Sequence, residues 1–212
     1  MLIGAVLLYT EHGTFSLPEL FERADGGATT LVASALIAVA ALAKSAQVPL
    51  HFWLPRAMAA PTPVSAYLHA AAMVKAGVYL VARLAPGFSG TAHWDWAVVG
   101  LGTATLLVGG YRALRQDDVK LVLAYGTVSQ LGFLLLVVGL GNATAALAGL
   151  SMMLAHGFFK AALFLVVGII DHQAGTRDLR QLSGLWRSAP KLFVVALVSA
   201  ASMAGLPPLF GF

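Results

Sequence analysis

Three lysines fall inside or at the edge of long apolar stretches of this 212-residue sequence: Lys44, Lys75 and Lys160. At the centre of an apolar membrane helix a charged lysine costs about 2.5–3.5 kcal/mol on insertion scales, so such residues usually serve an ion pathway or a charge pair. Removal from water disfavours an ammonium relative to its neutral amine, and a group that gains and loses a proton is what a relay requires. The plainer reading is snorkelling, in which the ammonium reaches the interface along its own stem. Both readings stand for Lys44 and Lys75. For Lys160, flanked by Phe158 and Phe159 and followed by an apolar run down to Asp171, the interface is out of reach. His156 lies four residues before Lys160 and shares its helix face; His69 follows Ser65 at the same spacing. An imidazole with an ordinary pKa near 6.5 suits a relay between lysines, whereas a core histidine would instead satisfy a carbonyl. Tyr125, Ser129 and Gln130 add a milder polar stripe, which reads either as part of a pathway or as helix-packing glue.

Other chemistries are poorly served. There is no cysteine, which removes disulfides, thiolate metal sites and thiol nucleophiles. The acids and histidines form no convincing metal set, no glycine-rich nucleotide loop precedes a suitable helix, and no serine has a hydrolase context. No cofactor is expected. The pI of about 9.6 comes from a net charge of only +4 spread over thin connections, too little for a nucleic-acid footprint. Hydrophobic residues make up 59% of the chain and charged ones 10%, against roughly a quarter charged in soluble domains. With a mean hydropathy of +0.83, the composition specifies an all-α, polytopic transmembrane bundle.

The elements that must position these side chains follow from the need for about 20 apolar residues per crossing. Spans are expected at about 28–50, 63–82, 96–111, 121–140, 145–170 and 192–206, in one transmembrane domain covering 1–212. Residues 1–9 are apolar but short and read as the end of a helix that begins upstream, so the chain is expected to be a fragment truncated at both ends. Arg56, Arg112, Arg115, Lys120, Arg177, Arg180, Arg187 and Lys191 fall on one side of the crossings; Arg23 and Arg83 fall on the other, near the acidic Glu11, Glu19, Glu22 and Asp25. This asymmetry places loops 112–120 and 171–191 in the cytoplasm. Trp53, Trp94 and Trp96 read as interfacial anchors, and no chemistry is assigned to His51 or His93. Gly100–Gly102 and Gly109-Gly110 read as sites of close helix packing.

Two spans carry breaks. Pro49 interrupts the first full helix, because it lacks a backbone donor and clashes with the preceding turn; Gly205, Pro207 and Pro208 interrupt the last. Backbone freed at membrane depth must be buried in protein or line a cavity, and paired discontinuous helices mark ion sites in inverted-repeat transporters. The alternative is that these are ordinary helix ends near the interface.

Longer motifs sharpen this picture. Lys44-Ser-Ala-Gln-Val-Pro-Leu-His-Phe-Trp-Leu-Pro55, then Ala57-Met-Ala-Ala-Pro-Thr-Pro-Val-Ser-Ala-Tyr-Leu-His69, then Ala124-Tyr-Gly-Thr-Val-Ser-Gln-Leu-Gly132 and His156-Gly-Phe-Phe-Lys160-Ala-Ala-Leu-Phe164 resemble the antiporter-like membrane subunits. That family comprises the large subunits of Mrp-type multisubunit sodium/proton antiporters and the proton-pumping subunits of respiratory complex I. Met73-Val-Lys75-Ala-Gly, Ile170-Asp-His-Gln-Ala-Gly-Thr-Arg-Asp178 and Ala204-Gly-Leu-Pro-Pro208 are closer to the Mrp A-type subunits.

The resemblance implies two inverted five-helix repeats, each with a broken helix bearing a lysine. Lys44 then belongs to the first broken helix and Gly205–Gly211 to the second, with the glutamate partner of the first lysine upstream and the second lysine beyond Phe212. Family members often carry a histidine where this chain has Met152. The expected function is antiport of protons against a monovalent cation, sodium foremost, along Lys44, His69, Lys75, His156 and Lys160. The protein would be a transporter component rather than an enzyme, in a prokaryotic plasma membrane with other membrane subunits around it. The rival readings are a proton-translocating subunit of an NADH:quinone oxidoreductase or related redox-driven complex, and a non-transporting scaffold subunit.

Overall fold

The structure is a computed structural model that describes residues 1–23 and 27–212; Asp25 and the side chains of Ala71 and His93 lie outside the description. Its elements are α1 (Leu2–His12), α2 (Leu17–Arg23), α3 (Ala28–Lys44), α4 (Trp53–Arg56), α5 (Thr62–Ala66), α6 (Met73–Phe88), α7 (Ala92–Asp95), α8 (Leu101–Leu114), α9 (Val119–Gly139), α10 (Ala143–Ala174), α11 (Leu185–Ser188) and α12 (Pro190–Met203). Wide π turns at Tyr67–Ala71 and Trp96–Gly100 run α5 into α6 and α7 into α8. Among the described residues, four stretches are long and apolar enough to cross a bilayer: Thr62–Phe88, Trp96–Leu114, Val119–Gly139 and Ala143–Ala174. Ala28–Lys44 and Pro190–Met203 are apolar but shorter.

Local chemistry sets the boundaries. Asp118 caps α9, its Oδ1 accepting from the Lys120 and Leu121 amides at 2.8 and 3.3 Å, and Asn142 caps α10 through the Ala145 amide at 2.8 Å; short polar side chains at this position satisfy otherwise orphaned N–H groups. Gly175, at φ 68°, ends α10 in the left-handed region that favours glycine. α3 stops at Lys44, six residues short of the span read from composition, because Pro49 forbids continuation. The chain there turns through Ala46 (φ 51°) and proceeds as short helical turns to Ala59.

α9 is the hub, packed against α8, α10 and α6. Glycines make the closest crossings. A β-carbon at Gly109 would lie 2.5 Å from the Ser129 amide nitrogen, and one at Gly132 2.5 Å from that of Leu106. Gly102 also meets α9, whereas Gly100 faces open space, so the expected close packing falls on Gly102 and Gly109. At Gly77 a β-carbon would meet the Ala41 carbonyl oxygen, which brings α6 against the end of α3 just before its break. Trp94 corrects its expected interfacial role. It is 7% exposed and donates from Nε1 to the Gly139 carbonyl at 3.0 Å, tying α7 to the end of α9. Trp96 does stand out, 80% exposed.

The α8–α9 and α10–α11 connections meet in a short antiparallel bridge between Asp118 and Asp178. The Val119 amide donates to the Arg177 carbonyl at 3.0 Å and the Leu179 amide to the Asp117 carbonyl at 2.8 Å. Arg177 pairs with Asp118 and Arg180 with Asp117 and Asp178; the hydrogen-bonded Arg180 guanidinium holds the Asp178 carboxyl below its ordinary range. Both basic connections therefore lie on one side of the bundle.

The Gly77 contact is directly testable. Gly77→Ala puts a methyl against backbone that cannot rotate away, and overpacking of this kind costs about 1–3 kcal/mol. Ser34→Ala on α3, with its half-buried side chain bonded only to its own turn, is the control. Thermal unfolding in detergent should show a lower midpoint for the glycine variant and little change for the serine variant.

Candidate functional site

Four of the singled-out side chains converge on α10. His156 and Lys160 are one turn apart and both 0% exposed. Lys160 leaves its own helix for α9, where Nζ donates to the Leu123 carbonyl at 3.2 Å. Lys75 crosses from α6 in the opposite sense, Nζ donating to the Met153 carbonyl at 2.9 Å. His69, also 0% exposed, sits in the π turn, its ring centroid 4.8 Å from that of Phe164. His156 lies in the electrostatic field of Lys160, Lys75 and His69, and His69 in that of Lys160. π turns inside α-helices recur at functional sites, and this one presents a histidine to the cluster.

Two glycines make the lysine contacts possible. A helix carbonyl already accepts from the amide four residues on, and the Leu123 oxygen also takes the Thr127 hydroxyl at 2.8 Å, so Lys160 shares it. Gly157 is the residue four on from Met153, and a β-carbon there would come within 2.7 Å of Lys75 Nζ. Gly126 lies beside the Leu123 carbonyl, and its β-carbon would sit 3.2 Å from Lys160 Nζ. Bare helix surface at these points lets an ammonium reach a carbonyl that side chains would otherwise cover.

The histidines are unsatisfied by protein. Both ring nitrogens of His69 and both of His156 are shielded and meet no hydrogen-bonding group among the described residues. Buried polar atoms nearly always have a partner, and where protein supplies none the usual partner is an internal water. The Gln130 and Gln47 side-chain oxygens share this condition. Gln130 falls four residues after Gly126, on the α9 face that meets the Lys160 ammonium, and so extends the polar surface by one turn. His51, given no role from sequence, also has both ring nitrogens buried, with the Pro49 carbonyl beside the ring.

The remaining candidates lie elsewhere. Ser129 and Tyr125 face α8 rather than α10. Ser129 Oγ donates to the Leu106 carbonyl at 2.8 Å, and the Tyr125 hydroxyl accepts from Arg112 at 3.5 Å, with the guanidinium 5.9 Å from its ring. Lys44 is exposed at the end of α3, and no hydrogen bond or ion pair joins it to the cluster among the described residues. The backbone amides after it are engaged, although the Gln47 side-chain oxygen is not. Ser45 N bonds to Ala41 O at 2.9 Å, Gln47 N to Leu42 O at 3.0 Å, and Val48 N to Thr105 Oγ1 at 2.9 Å, so Pro49 follows backbone buried in protein. After α12, Gly205 turns at φ 72°, and the Gly211 amide folds back onto Ser202 Oγ at 3.2 Å; Pro207 and Pro208 occupy this turn.

One residue departs from its expected place. Lys120, expected as a loop charge, is 2% exposed, and Nζ donates to the Ala60 carbonyl at 2.6 Å. A signal for this exists in the sequence: Lys120, Ala124, Thr127 and Leu131 repeat at helical spacing behind a capping aspartate, and all four are buried.

Comparison with known proteins bears on the family and the fold. The family model described as NADH:quinone oxidoreductase/Mrp antiporter, TM, matches residues 1–212. The chain is 49% identical to the A-type subunit of the Na(+)/H(+) antiporter of Alkalihalophilus pseudofirmus, covering 100% of this chain and 28% of that protein. It is 46% identical to a probable K(+)/H(+) antiporter A/B-type subunit of Rhizobium meliloti, with 100% and 22% covered; it thus spans only about a quarter of these relatives. Among solved structures it superposes on a chain of the Mrp complex from Dietzia sp. with a TM-score of 0.92 and 45% identity, covering 100% of this chain and 24% of that one. A chain of the membrane-bound sulfane sulfur reductase, an archaeal respiratory membrane complex, gives 0.88 and 28% over 97% of this chain and 43% of that one. A whole-length family match, close relatives and a shared helical architecture lead to one conclusion: this chain belongs to the NADH:quinone oxidoreductase/Mrp antiporter transmembrane family.

Proposed function

We propose that this chain is part of a membrane subunit of a multisubunit antiporter that exchanges protons for a monovalent cation, sodium foremost, and that protons pass through the cluster of Lys75, His156, Lys160 and His69. The observation that carries the reading is the combination of lysines held by carbonyls rather than carboxylates with fully buried imidazoles that no protein group engages. A lysine bonded to a neutral carbonyl is not locked as an ammonium by a fixed counter-charge, because a neutral amine can keep the same N–H···O bond. Each lysine can therefore change protonation without rebuilding its site. The imidazoles, bridged by internal water, supply both a donor and an acceptor. Lys44 is proposed as the end of the route, its exposed ammonium turned toward a carboxylate outside this chain, as the resemblance implies. Pro49, and Gly205 with Pro207 and Pro208, supply the helix breaks on which such a route depends. Tyr125 and Ser129, engaged on the α8 face, support the crossing of α8 and α9 and thereby hold the α9 face presented to Lys160.

The protein moves ions and needs no cofactor. It works in a prokaryotic plasma membrane with other membrane subunits around it, and with the bridged loops 112–120 and 171–191 on the cytoplasmic side. The structural likeness to a respiratory complex favours a second reading, in which the same cluster moves protons within a redox-driven assembly. Cation-driven exchange in vesicles without electron donors separates the two.

In inverted vesicles carrying the whole subunit in its complex, Lys160→Ala should abolish cation-driven pH change at near-normal protein levels. Lys160→Arg should also fail, since a guanidinium does not release its proton. His156→Ala should slow the initial rate on the order of tenfold or more, with Gln retaining part of it by ordering water. Wild-type rates from these variants would make the cluster a packing feature.

Gly157→Ala tests the glycine opening separately. Alanine gains about 1 kcal/mol of helix propensity over glycine, yet the methyl must push Lys75 off the Met153 carbonyl. The expected result is no net gain in thermal stability on the wild-type background and a gain on a Lys75→Ala background, the signature of direct coupling.

A further inference from the structure

Lys120 is the one fully enclosed lysine that the proposed relay does not use. Its ammonium faces the Ala60 carbonyl, which opens the segment leading through Pro61 into α5 and so toward Ser65 and His69. On the outer side, Asp118 caps the same turn, and Asp118 and Asp171 line one polar cleft of about 650 Å³ between the α8–α9 and α10–α11 connections. The charged groups that reach Lys120 are Asp118 on its own turn, Asp171 at the end of α10 and Arg177 beyond it; inward, Lys120 and Lys160 both act on His69. Arg177 is occupied with Asp118, which leaves Asp171 as the carboxylate of this set without an ion pair among the described residues. The buried ammonium thus stands between an open mouth, lined by acids and by Arg177 and Arg180, and an imidazole whose two nitrogens meet no hydrogen-bonding group among the described residues. Of those acids, Asp171 alone has no ion pair among the described residues.

We propose that Lys120 is the station through which protons pass between the basic-loop face and the buried cluster, with Asp171 gathering them at the mouth. This deepens the reading above and rests on it. In the inward step, an N–H bond of the Lys120 ammonium breaks as an N–H bond forms on a His69 ring nitrogen through bridging water. The neutral amine keeps its bond to Ala60 and takes a replacement proton from water held at Asp171. The outward step is the reverse. The competing role is purely structural: the ammonium caps a carbonyl that lies outside any helical ladder.

The test varies pH on the basic-loop face alone, and separately on the opposite face, in vesicles of known orientation carrying the whole complex. Lys120→Gln preserves a donor for Ala60 but carries no labile charge, and Lys120→Arg preserves both donor and charge but does not release a proton. Both should lower the exchange rate per assembled complex about tenfold or more and flatten its dependence on loop-face pH, while dependence on the opposite face persists. Asp171→Asn, at a partly exposed position where folding is not at stake, should lower the rate less and shift only the loop-face dependence. Wild-type exchange with unchanged loop-face dependence in the Arg or Gln variant overturns the proposal and leaves Lys120 a cap; unchanged behaviour of Asp171→Asn removes the mouth. Lys160→Ala is run in parallel. If it is inactive while the Lys120 variants are normal, only this inference fails; if it too is normal, the relay reading fails and this inference with it.

Discussion

The bundle places three ammonium groups against backbone carbonyls, and none of them forms an ion pair with a carboxylate among the described residues. Lys75, Lys120 and Lys160 each find a single backbone carbonyl, on α10, before α5 and on α9 respectively. Burying an ion against a fixed opposite charge would hold it in one state, and removing either partner would strand the other. A carbonyl offers less, accepting more strongly from an ammonium but still accepting from a neutral amine. These contacts require helix surfaces that are bare at Gly126 and Gly157. A side chain at either position would cover the carbonyl the lysine needs.

Those contacts depend on how the helices cross, and α9 packs against α8, α10 and α6. One face of α9 is pulled against α8 by Gly109 and Gly132, with the Ser129 hydroxyl bonded across the crossing. The next face presents the Leu123 carbonyl and Gly126 to Lys160. At the loop end, the bridge between Asp118 and Asp178 ties the start of α9 to the segment leaving α10. Lys160 must span between those same two helices, so the bridge and the ammonium contact constrain one distance from two ends. The break in α3 serves the same geometry. Its freed amides are taken by Leu42 and by Thr105 of α8, so an irregular segment is held as firmly as a helix.

Much of this is legible in the order of residues. Lys160, His156 and His69 stand out because charge and imidazole are costly in apolar helices, and periodicity puts the first two on one face. Asp118 and Asn142 announce helix starts, and Pro49 announces the end of α3, although composition alone carries that span too far because apolar residues continue past the break. Lys120 reads as a loop charge because it follows Asp117 and Asp118 so closely; its burial comes from the capping aspartate, which starts the helix one residue before it.

The sequence by itself determined that this is an all-helical membrane chain, where its helices break, and which side chains are too expensive to be incidental. Those properties are local: they follow from the cost of taking polar groups out of water and from the backbone limits of proline and glycine. Only the tertiary structure decided that Ser129 and Tyr125 face α8, that Lys44 stands outside the cluster, and that Lys75, Lys120 and Lys160 each meet a carbonyl on another element. Helical spacing fixes which residues share a face, but what that face meets depends on the crossing of a second helix, and no single stretch of sequence contains it.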